Sequence, residues 1–424
     1  MIKSVEDFGK YIEKTLVRSP DKARERLVLA YKLFGLKLKY FPDKRLPLAK
    51  QKAAVYLNKT IVDAFENPEN LALVNIFMPC EILEAMEIVP MCVELLSSFI
   101  TGTWCEAPFV EAAKQQGISN SYCSYHKVFL GTAYSQLMRP PEAIINTSFV
   151  CDANNITFRE LASTLDVPHF YIDVPTDQSE ESIQYVAGQL KESASFLEEV
   201  TGKTLDENKL KATVARSKDT IALFQQVLEH KRNCYLPSDV TSELYEIYLT
   251  HNGLGTNMSY DYAKTFLHDF EGAKPFKGIK ILWLHTIPHW QGPLLDLFNF
   301  NEDCQIIASD MNFENFVEMD PEKPYESMAR RLVYSHWASG KARVDQAVSM
   351  GKKLNVDGVV CFCQWGCKQT MGLSGLFKEA FEAEGIPLLV LDGDGVDKMN
   401  SSDGQVSTRL NAFIEIVKSR KHGE

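Results

Sequence analysis

The chain has ten cysteines, and three of them fall within seven residues of one segment. Cys361, Cys363 and Cys367 lie in the sequence DGVVCFCQWGCKQ, which is typical of a strand that runs into a loop. Cys123 and Cys151 lie far away in sequence, at the predicted ends of other elements. Thiolates are the ligands of soft metals and of iron–sulfur clusters. This placement therefore indicates an iron–sulfur redox enzyme whose site is assembled by folding.

The composition describes a globular chain of more than one domain. At 424 residues it is long enough for two or three domains, and its hydrophobic (45%) and charged (24%) fractions are ordinary for a soluble protein. The formal net charge of −11 argues against nucleic-acid binding, which normally requires a basic surface. A small anionic ligand held by a few local Lys or Arg residues is compatible with this charge.

The N-terminal sequence MIKSVEDFGKYIEK has neither the apolar segment nor the small-residue cleavage site of a signal peptide. No apolar run approaches the roughly 18 residues of a membrane span. We therefore expect a cytoplasmic protein with no membrane partner. Disulfides are rare in that reducing compartment, so the thiols are expected to be metal ligands, a nucleophile or core residues. Several of them are expected in the core, because free cysteine is among the most buried residue types.

The spacing of apolar residues divides the chain into four parts. Residues 1–66 are predicted to form an N-terminal helical segment, because apolar residues recur there at spacings of three and four. Residues 67–176 alternate strands, such as LALVNIFMP and VPMCVEL, with helices and are predicted to form a first α/β domain. Residues 177–275 return to helix, and residues 276–424 form a second α/β domain. The predicted fold is two doubly wound α/β domains with parallel sheets, joined and flanked by helices.

The cysteines stand where ligands of such a fold bind, beyond the carboxyl ends of the strands. Cys80 follows the first predicted strand, Cys151 follows the strand AIINTSFV, and Cys367 follows DGVVCF by a short loop. Cys123 opens a helix, where the helix dipole favours the ligating thiolate. We expect these thiols to converge on one cleft between the two α/β domains, and the cluster to lie there.

Five segments of the chain, taken in order, resemble the 2-hydroxyacyl-CoA dehydratase family, which also includes the benzoyl-CoA reductase subunits. They are MPCEILEAMEIVP at 78–90, YCSYHKVFLG from Tyr122, VCDANN at 150–155, DGVVCFCQWGCKQTMG at 357–372, and GIPLLVLDGDGVDKMNSSDGQVSTRLNAFIEIV at 385–417. Each segment is a weak signal alone, whereas five at compatible spacings are specific. The chain is therefore identified as a member of this family, similar to the D-component of 2-hydroxyglutaryl-CoA dehydratase.

The resemblance implies a [4Fe-4S] cluster held by Cys123, Cys151 and Cys367, with one iron left open for substrate. In the family this iron is held to bind the thioester carbonyl of an acyl-CoA. One electron delivered at low potential converts the carbonyl into a ketyl radical anion, and water is eliminated from the 2-hydroxyacyl-CoA. The resemblance also implies an oxygen-sensitive heterodimer with a homologous dehydratase subunit, and an ATP-dependent activator iron–sulfur protein as electron donor.

Glu81 matches the Pro-x-Glu position of the family and is the candidate catalytic residue, for orienting substrate or relaying a proton. A structural role is also open, as a carboxylate that is stabilised by the dipole at the N-terminus of a helix. The nine histidines, among them His126 and His285, are each expected to be polar residues with satisfied hydrogen bonds.

Further thiols leave the type of cluster open. Cys80, Cys361 and Cys363 are additional candidate ligands, and the last two are predicted to face the same side of a strand because they are two residues apart. With them, and with Cys92 and Cys105 nearby, the chain could hold a double-cubane [8Fe-9S] cluster and reduce small molecules. The chain could also be a non-catalytic scaffold that carries a cluster for a partner, or it could bind zinc through the C-x-C-x-x-x-C run. No G-x-x-x-x-G-K-S/T or G-x-G-x-x-G element predicts a nucleotide site.

Overall fold

The chain folds into an α/β structure whose described strands form two sheets. The computed structural model describes residues 4–313 and 316–423. The first sheet contains β1 (Leu71–Val74), β2 (Val89–Cys92), β3 (Ala143–Thr147) and β4 (His169–Ile172). The second sheet contains β5 (Ile279–Leu284), β6 (Cys304–Ser309), β7 (Gly358–Gln364) and β8 (Leu388–Gly393).

The two sheets have the same strand order, β2-β1-β3-β4 and β6-β5-β7-β8, and the strands pair in parallel. The chain moves first to one side of β1 and then crosses over to the other side, and it passes β5 in the same way. Because parallel crossovers are right-handed, this reversal places helices on both faces of each sheet. The predicted α/β architecture with parallel sheets is confirmed, while the division of the chain into four segments stays a prediction.

Three helices precede the first sheet, α1 (Val5–Arg18), α2 (Pro20–Tyr40) and α3 (Leu48–Glu66). The side chains of Ser4 and Ser19 begin the first two by accepting hydrogen bonds from backbone N–H groups of the first turn. Apolar residues at helical spacing are buried in the same core as the first sheet: Ile12, Leu27, Tyr31, Leu57, Ile61. The N-terminal helices therefore extend the core of the first sheet.

The other helices connect the strands of each sheet, form the segment between the two sheets, or follow the last strand. In the first half they are α4 (Glu81–Ala85), α5 (Val93–Gly102), α6 (Glu106–Gln115), α7 (Ser124–Tyr134) and α8 (Asp152–Leu165). The connecting segment contains α9 (Glu180–Thr201), α10 (Glu207–Asn233), α11 (Val240–Thr250) and α12 (Asn257–Asp269). The second half contains α13 (Gly292–Phe298), α14 (Pro324–Val333), α15 (Gly340–Leu354), α16 (Lys368–Ala383) and α17 (Asp403–His422). No helix in the described part of the chain is both long and apolar enough to cross a membrane.

The second sheet is covered on both faces, which decides where its cysteines point. Trp283 and Phe362 face the main core, which contains residues of both sheets. Cys361 and Cys363 belong to a smaller core on the other side, together with Phe377 of α16. Alternate residues of a strand point to opposite faces, so the two cysteines share one face as predicted.

Candidate metal centre

A cavity of about 240 Å³ lies where the carboxyl ends of the two sheets meet. Cys123, Cys151 and Cys367 all line it. Apolar side chains from both halves and from α11 of the connecting segment form much of the remaining wall: Ile76, Phe77, Leu244, Ile247, Met311, Trp337. The structure therefore brings the three predicted ligands to one place, and their role as ligands stays a prediction.

Each of the three cysteines is the N-cap residue of a helix. Cys123 precedes α7, Cys151 precedes α8, and Cys367 precedes α16. The partial positive charge at a helix N-terminus stabilises a thiolate relative to a thiol. Cys151 follows β3 and Cys367 follows β7, which occupy equivalent positions in the two sheets. Each half thus supplies one thiol at the same topological position, and Cys123 adds a third.

The backbone immediately before two of these cysteines has a left-handed conformation. Val150 has a φ of 46° and Gly366 has a φ of 79°. This region is rare for a β-branched residue such as valine, whereas glycine adopts it without steric cost. His285, just after β5, has a φ of 82°. Such conformations concentrate at functional sites, and all three residues line this cavity.

Hydrogen bonds between the two halves hold the cysteine-bearing loops against each other. Nε2 of Gln369 donates to the carbonyl oxygen of Val150 at 3.1 Å, which ties the start of α16 to the residue before Cys151. Nε1 of Trp365 donates to the carbonyl oxygen of Asn120 at 3.0 Å. Both bonds join a loop of the second half to the first, so the distances between the thiols depend on how the two halves pack.

Residues of the second half also contact the start of α7 and fix its position. Oγ of Ser124 donates to Oδ2 of the buried Asp394 at 2.5 Å. Gly366 lies so close to the start of α7 that a Cβ at this position would be 2.6 Å from the backbone nitrogen of Cys123. Only glycine permits this approach, because any other residue would collide with that backbone.

Burial and mutual repulsion oppose ionisation of the isolated thiols. Burial raises the pKa of Cys123 well above its usual range, and negative charge on Cys151 and Cys367 raises it further. Burial, followed by negative charge on Cys367, also raises the pKa of Cys151. Bound metal removes this repulsion, because its positive charge neutralises the thiolates that ligate it. The donor set therefore fits an iron–sulfur cluster.

The arrangement differs from that of a mononuclear metal site. Among residues 4–313 and 316–423, no three His, Cys, Asp or Glu side chains are grouped as ligands of a single ion. In a cubane each cysteine binds a different iron, so the thiols surround the core instead of meeting at one point. The three thiols line one cavity without forming such a group, which agrees with ligands that each bind a different iron.

Two histidines lie against two of the thiols. Nε2 of His126 is 3.7 Å from Sγ of Cys151, and Nε2 of His285 is 3.5 Å from Sγ of Cys367. Burial lowers the pKa of His126 to about 3. Burial, and after it the charge of Arg343, lowers the pKa of His285 well below its usual range. Both rings are therefore neutral, and each presents one N–H group.

Glu94 is a carboxylate in the wall of the cavity. Sγ of Cys92 donates to its Oε2 at 3.1 Å, and its Oε1 lies 4.0 Å from Nε2 of His126. Burial raises the pKa of Glu94 to about 7. A carboxyl group with this pKa can donate and accept a proton near neutral pH. The sequence analysis missed this residue, whose signal is a single charge within the apolar run VPMCVELL.

Most of the chain matches one protein family. The sequence model described as 2-hydroxyglutaryl-CoA dehydratase, D-component, matches residues 75–417. The chain belongs to this family. The family predicted from five sequence segments is thereby confirmed.

Relatives within the dehydratase family are alpha subunits of acyl-CoA dehydratases. The (R)-phenyllactyl-CoA dehydratase alpha subunit of Clostridium sporogenes is 25% identical over 338 residues, which cover 74% of this chain and 81% of that subunit. The lactoyl-CoA dehydratase subunit alpha of Anaerotignum propionicum is 24% identical, over 73% of this chain and 82% of that subunit. The (R)-2-hydroxyglutaryl-CoA dehydratase subunit alpha of Acidaminococcus fermentans is 23% identical, over 68% of this chain and 62% of that subunit.

Glu81, the carboxylate at the Pro-x-Glu position of the dehydratase family, lies outside the described lining of the cavity. It is fully buried, and Arg331 donates to both of its oxygens, at 2.5 and 3.0 Å. Oγ of Ser217 donates to Oε1 at 2.8 Å. These contacts tie α4 to α10 and α14, whereas the catalytic role of Glu81 stays a prediction.

The additional candidate ligands do not line the cavity together with the three thiols. Cys80 is buried, donates to the carbonyl oxygen of Met78 at 3.3 Å and accepts from Nδ2 of Asn252 at 3.5 Å. Cys361 and Cys363 face the smaller core of the second sheet. None of the three belongs to the described lining of the cavity, so they do not extend the set of thiols there.

Proposed function

We propose that this chain is the iron–sulfur subunit of a 2-hydroxyacyl-CoA dehydratase-like enzyme, a hydro-lyase that eliminates water from a 2-hydroxyacyl-CoA. Its cofactor is a [4Fe-4S] cluster held by Cys123, Cys151 and Cys367. One observation carries the proposal: thiols at three helix N-termini line a single cavity between the two sheets. Membership of the family and the dehydratase names of the relatives support the class of reaction.

The protein binds the substrate, excludes water and moves protons, while the cofactor carries the redox chemistry. A [4Fe-4S] cluster held by Cys123, Cys151 and Cys367 would supply one-electron chemistry at low potential, which would make the thioester carbonyl a ketyl radical anion. The apolar wall suits an acyl chain: Phe77, Ile247, Trp337. Exclusion of water by such a wall protects a radical from side reactions.

Glu94 is the residue to which we assign proton transfer. Protonated Glu94 donates its proton to the departing hydroxyl group, which leaves as water. The resulting carboxylate then accepts a proton from the β-carbon of the substrate, so that Glu94 returns to its starting state. Its pKa of about 7 suits both steps, since neither protonation state is strongly disfavoured near neutral pH.

The names of the relatives extend the proposal to partners. Each relative is an alpha subunit, which implies a second subunit in those enzymes. For this chain we propose a homologous dehydratase subunit as partner in a heterodimer, an acyl-CoA as substrate, and an ATP-dependent activator iron–sulfur protein as electron donor. A cytoplasmic location and sensitivity to oxygen belong to the same proposal.

The test is iron and acid-labile sulfide per chain, measured on protein purified without oxygen. We expect about four irons per chain. Cys123→Ser, Cys151→Ser and Cys367→Ser should each lose the cluster and acyl-CoA turnover. Cys304→Ser is the matched control, because this thiol is buried but lies outside the described lining of the cavity. Iron near zero after anaerobic reconstitution would refute the proposal.

The same experiment separates this enzyme from two different kinds of iron–sulfur protein. A double-cubane [8Fe-9S] reductase would contain about eight irons per chain and would lose roughly half of them in Cys80→Ser or Cys363→Ser. A non-catalytic scaffold would hold its cluster but show no turnover with any activator. The location of Cys80, Cys361 and Cys363 away from the cavity favours the single cubane.

A further inference from the structure

Two of the three thiols each have a histidine nitrogen within hydrogen-bonding distance. Nε2 of His126 lies 3.7 Å from Sγ of Cys151, and Nε2 of His285 lies 3.5 Å from Sγ of Cys367. One histidine comes from α7 in the first half, and the other follows β5 in the second half. Each approaches the cysteine that follows the third strand of a sheet, β3 or β7. The two equivalent cysteines are therefore each contacted by a histidine, but the two histidines come from elements that are not equivalent.

The surroundings of each ring decide which nitrogen carries the hydrogen. Nδ1 of both rings is buried without a hydrogen-bond partner among the described residues. A hydrogen on Nδ1 would leave a buried donor unpaired and would turn the lone pair of Nε2 toward a negatively charged thiolate. A hydrogen on Nε2 points at the sulfur instead. We therefore assign the Nε2–H tautomer to His126 and His285.

The position of each ring is fixed by its surroundings. The backbone of His285 has a φ of 82°, and its N–H donates to Oδ1 of Asp310 at 2.6 Å. Its ring stacks on Trp337 at 6.1 Å between centroids, and the guanidinium of Arg343 lies 3.5 Å from the centre of that indole. His126 is 1% exposed on the first turn of α7. A hydrogen bond that tunes a metal ligand requires this kind of rigid placement.

We propose that His126 and His285 donate N–H···S hydrogen bonds to the cluster thiolates of Cys151 and Cys367 and thereby raise the reduction potential of the cluster. The inference rests on the proposed function, because it takes these cysteines as ligands. A hydrogen bond withdraws negative charge from a thiolate sulfur, and a reduced cluster carries more negative charge than an oxidised one. The two bonds therefore stabilise the reduced state, which must hold the electron before it passes to the substrate.

The test compares a leucine and a glutamine variant at each position. His126→Leu and His285→Leu remove the ring N–H, whereas His126→Gln and His285→Gln retain an amide N–H. His289→Gln is the matched control, because Nδ1 of His289 is also buried and unpaired among the described residues, yet His289 does not belong to the described lining of the cavity. The midpoint potential is measured by EPR-monitored redox titration of the anaerobically reconstituted full chain, and iron is counted in the same samples.

We expect the leucine variants to keep their iron and to have more negative midpoint potentials than the wild type. The glutamine variants should lie between them and the wild type, the double leucine variant should shift most, and His289→Gln should not shift. The variants His126→Leu and His126→Gln test the inference on their own if a His285 variant does not fold. His126 lies on a regular helix, which tolerates either side chain in its backbone conformation, whereas His285 has a left-handed backbone.

Three results would overturn the inference, and they differ in whether the proposed function is retained. An unchanged or more positive potential in His126→Leu and His285→Leu overturns it and leaves the proposed function intact. Loss of iron or a new cluster type in these variants also overturns it, because the histidine would then be a ligand. A wild-type chain that binds no iron overturns the proposed function, and the inference with it.

Discussion

Replacing Glu81 by glutamine separates a structural role of this carboxylate from a catalytic one. The side chain of Glu81 is fully buried, that of Arg331 is 4% exposed, and both carboxylate oxygens accept from the guanidinium. Glutamine keeps the shape of the side chain but leaves the guanidinium buried without a compensating charge. Removing one partner of a buried ion pair costs about 3–5 kcal/mol. We therefore expect Glu81→Gln to lower the free energy of unfolding by roughly this amount.

Glu87→Gln is the control for this experiment. Glu87 pairs with Lys209 at 2.9 Å on the surface, where the two side chains are 76% and 56% exposed. Water and salt screen such a pair, so its removal should change stability little. Urea denaturation followed by circular dichroism compares both variants with the wild type. The midpoint should fall in Glu81→Gln and stay nearly constant in Glu87→Gln.

Turnover of the folded variant decides the catalytic question. The assay measures kcat per iron-loaded chain under conditions where Glu81→Gln is folded. Lowered stability with a kcat near that of the wild type would show that Glu81 acts by packing α4 against α10 and α14. Unchanged stability together with lost turnover would refute this reasoning and would make Glu81 a catalytic residue.

Other substitutions test the cavity itself. Glu94→Gln should reduce kcat roughly 10²–10⁴-fold, because the amide cannot transfer the proton. Wild-type turnover in this variant would contradict the role of Glu94 in proton transfer. Because burial raises the pKa of Glu94 from 4.5 to about 7, the folded wild type keeps a proton that the unfolded chain releases. Wild-type stability should therefore fall relative to Glu94→Gln as pH rises from about 4.5 to 7, which urea titrations measure. Gly366→Ala should lose the cluster, since its Cβ would lie 2.6 Å from the backbone nitrogen of Cys123. Gly372→Ala is the control and should keep its iron, because a Cβ at that position would have open space around it. Cys363→Ala should retain full iron because it faces the smaller core, and loss of half would contradict a single cubane.

The placement of the three predicted ligands could be read from the sequence because it depends on local patterns. Alternating strand and helix signals predicted Cys151 and Cys367 just after strands and Cys123 at the start of a helix, and all three are N-cap residues in the structure. Parallel strands of one sheet end at one edge, so the α/β fold class predicted that Cys151 and Cys367 each lie at the ligand-binding edge of a sheet. That both edges face one cavity follows from the packing of the two halves.

The faces of the second sheet could not be assigned from the sequence. Both faces of a buried parallel strand are apolar, so the spacing of Cys361 and Cys363 shows that they share a face but not which one. The boundary of β2 was wrong for a similar reason. VPMCVEL was expected to be strand throughout, but the strand ends at Cys92 and α5 begins at Val93. A short apolar run has no period that separates strand from helix.

The histidine contacts could not be predicted, because no local pattern connects their members. His126 and Cys151 are 25 residues apart, and His285 and Cys367 are 82 residues apart. Each contact lies within one half of the chain and depends on how a helix or loop is rotated about its axis when the elements of that half pack. Sequence patterns predict elements and their order, whereas these rotations follow from packing.

The repeated sheets account for three thiols at the cavity instead of four. Cys151 and Cys367 follow the equivalent strands β3 and β7. Cys123 begins α7, the helix before β3, and the corresponding helix before β7 is α15, which begins after Ser339. Oγ of Ser339 accepts from the backbone N–H of Ala342 at 3.1 Å, and a hydroxyl is not a soft metal ligand. Ser339 does not belong to the described lining of the cavity, so the second half contributes only Cys367 to the described thiols there. The proposed cluster would therefore keep one iron without a protein ligand, open to the thioester.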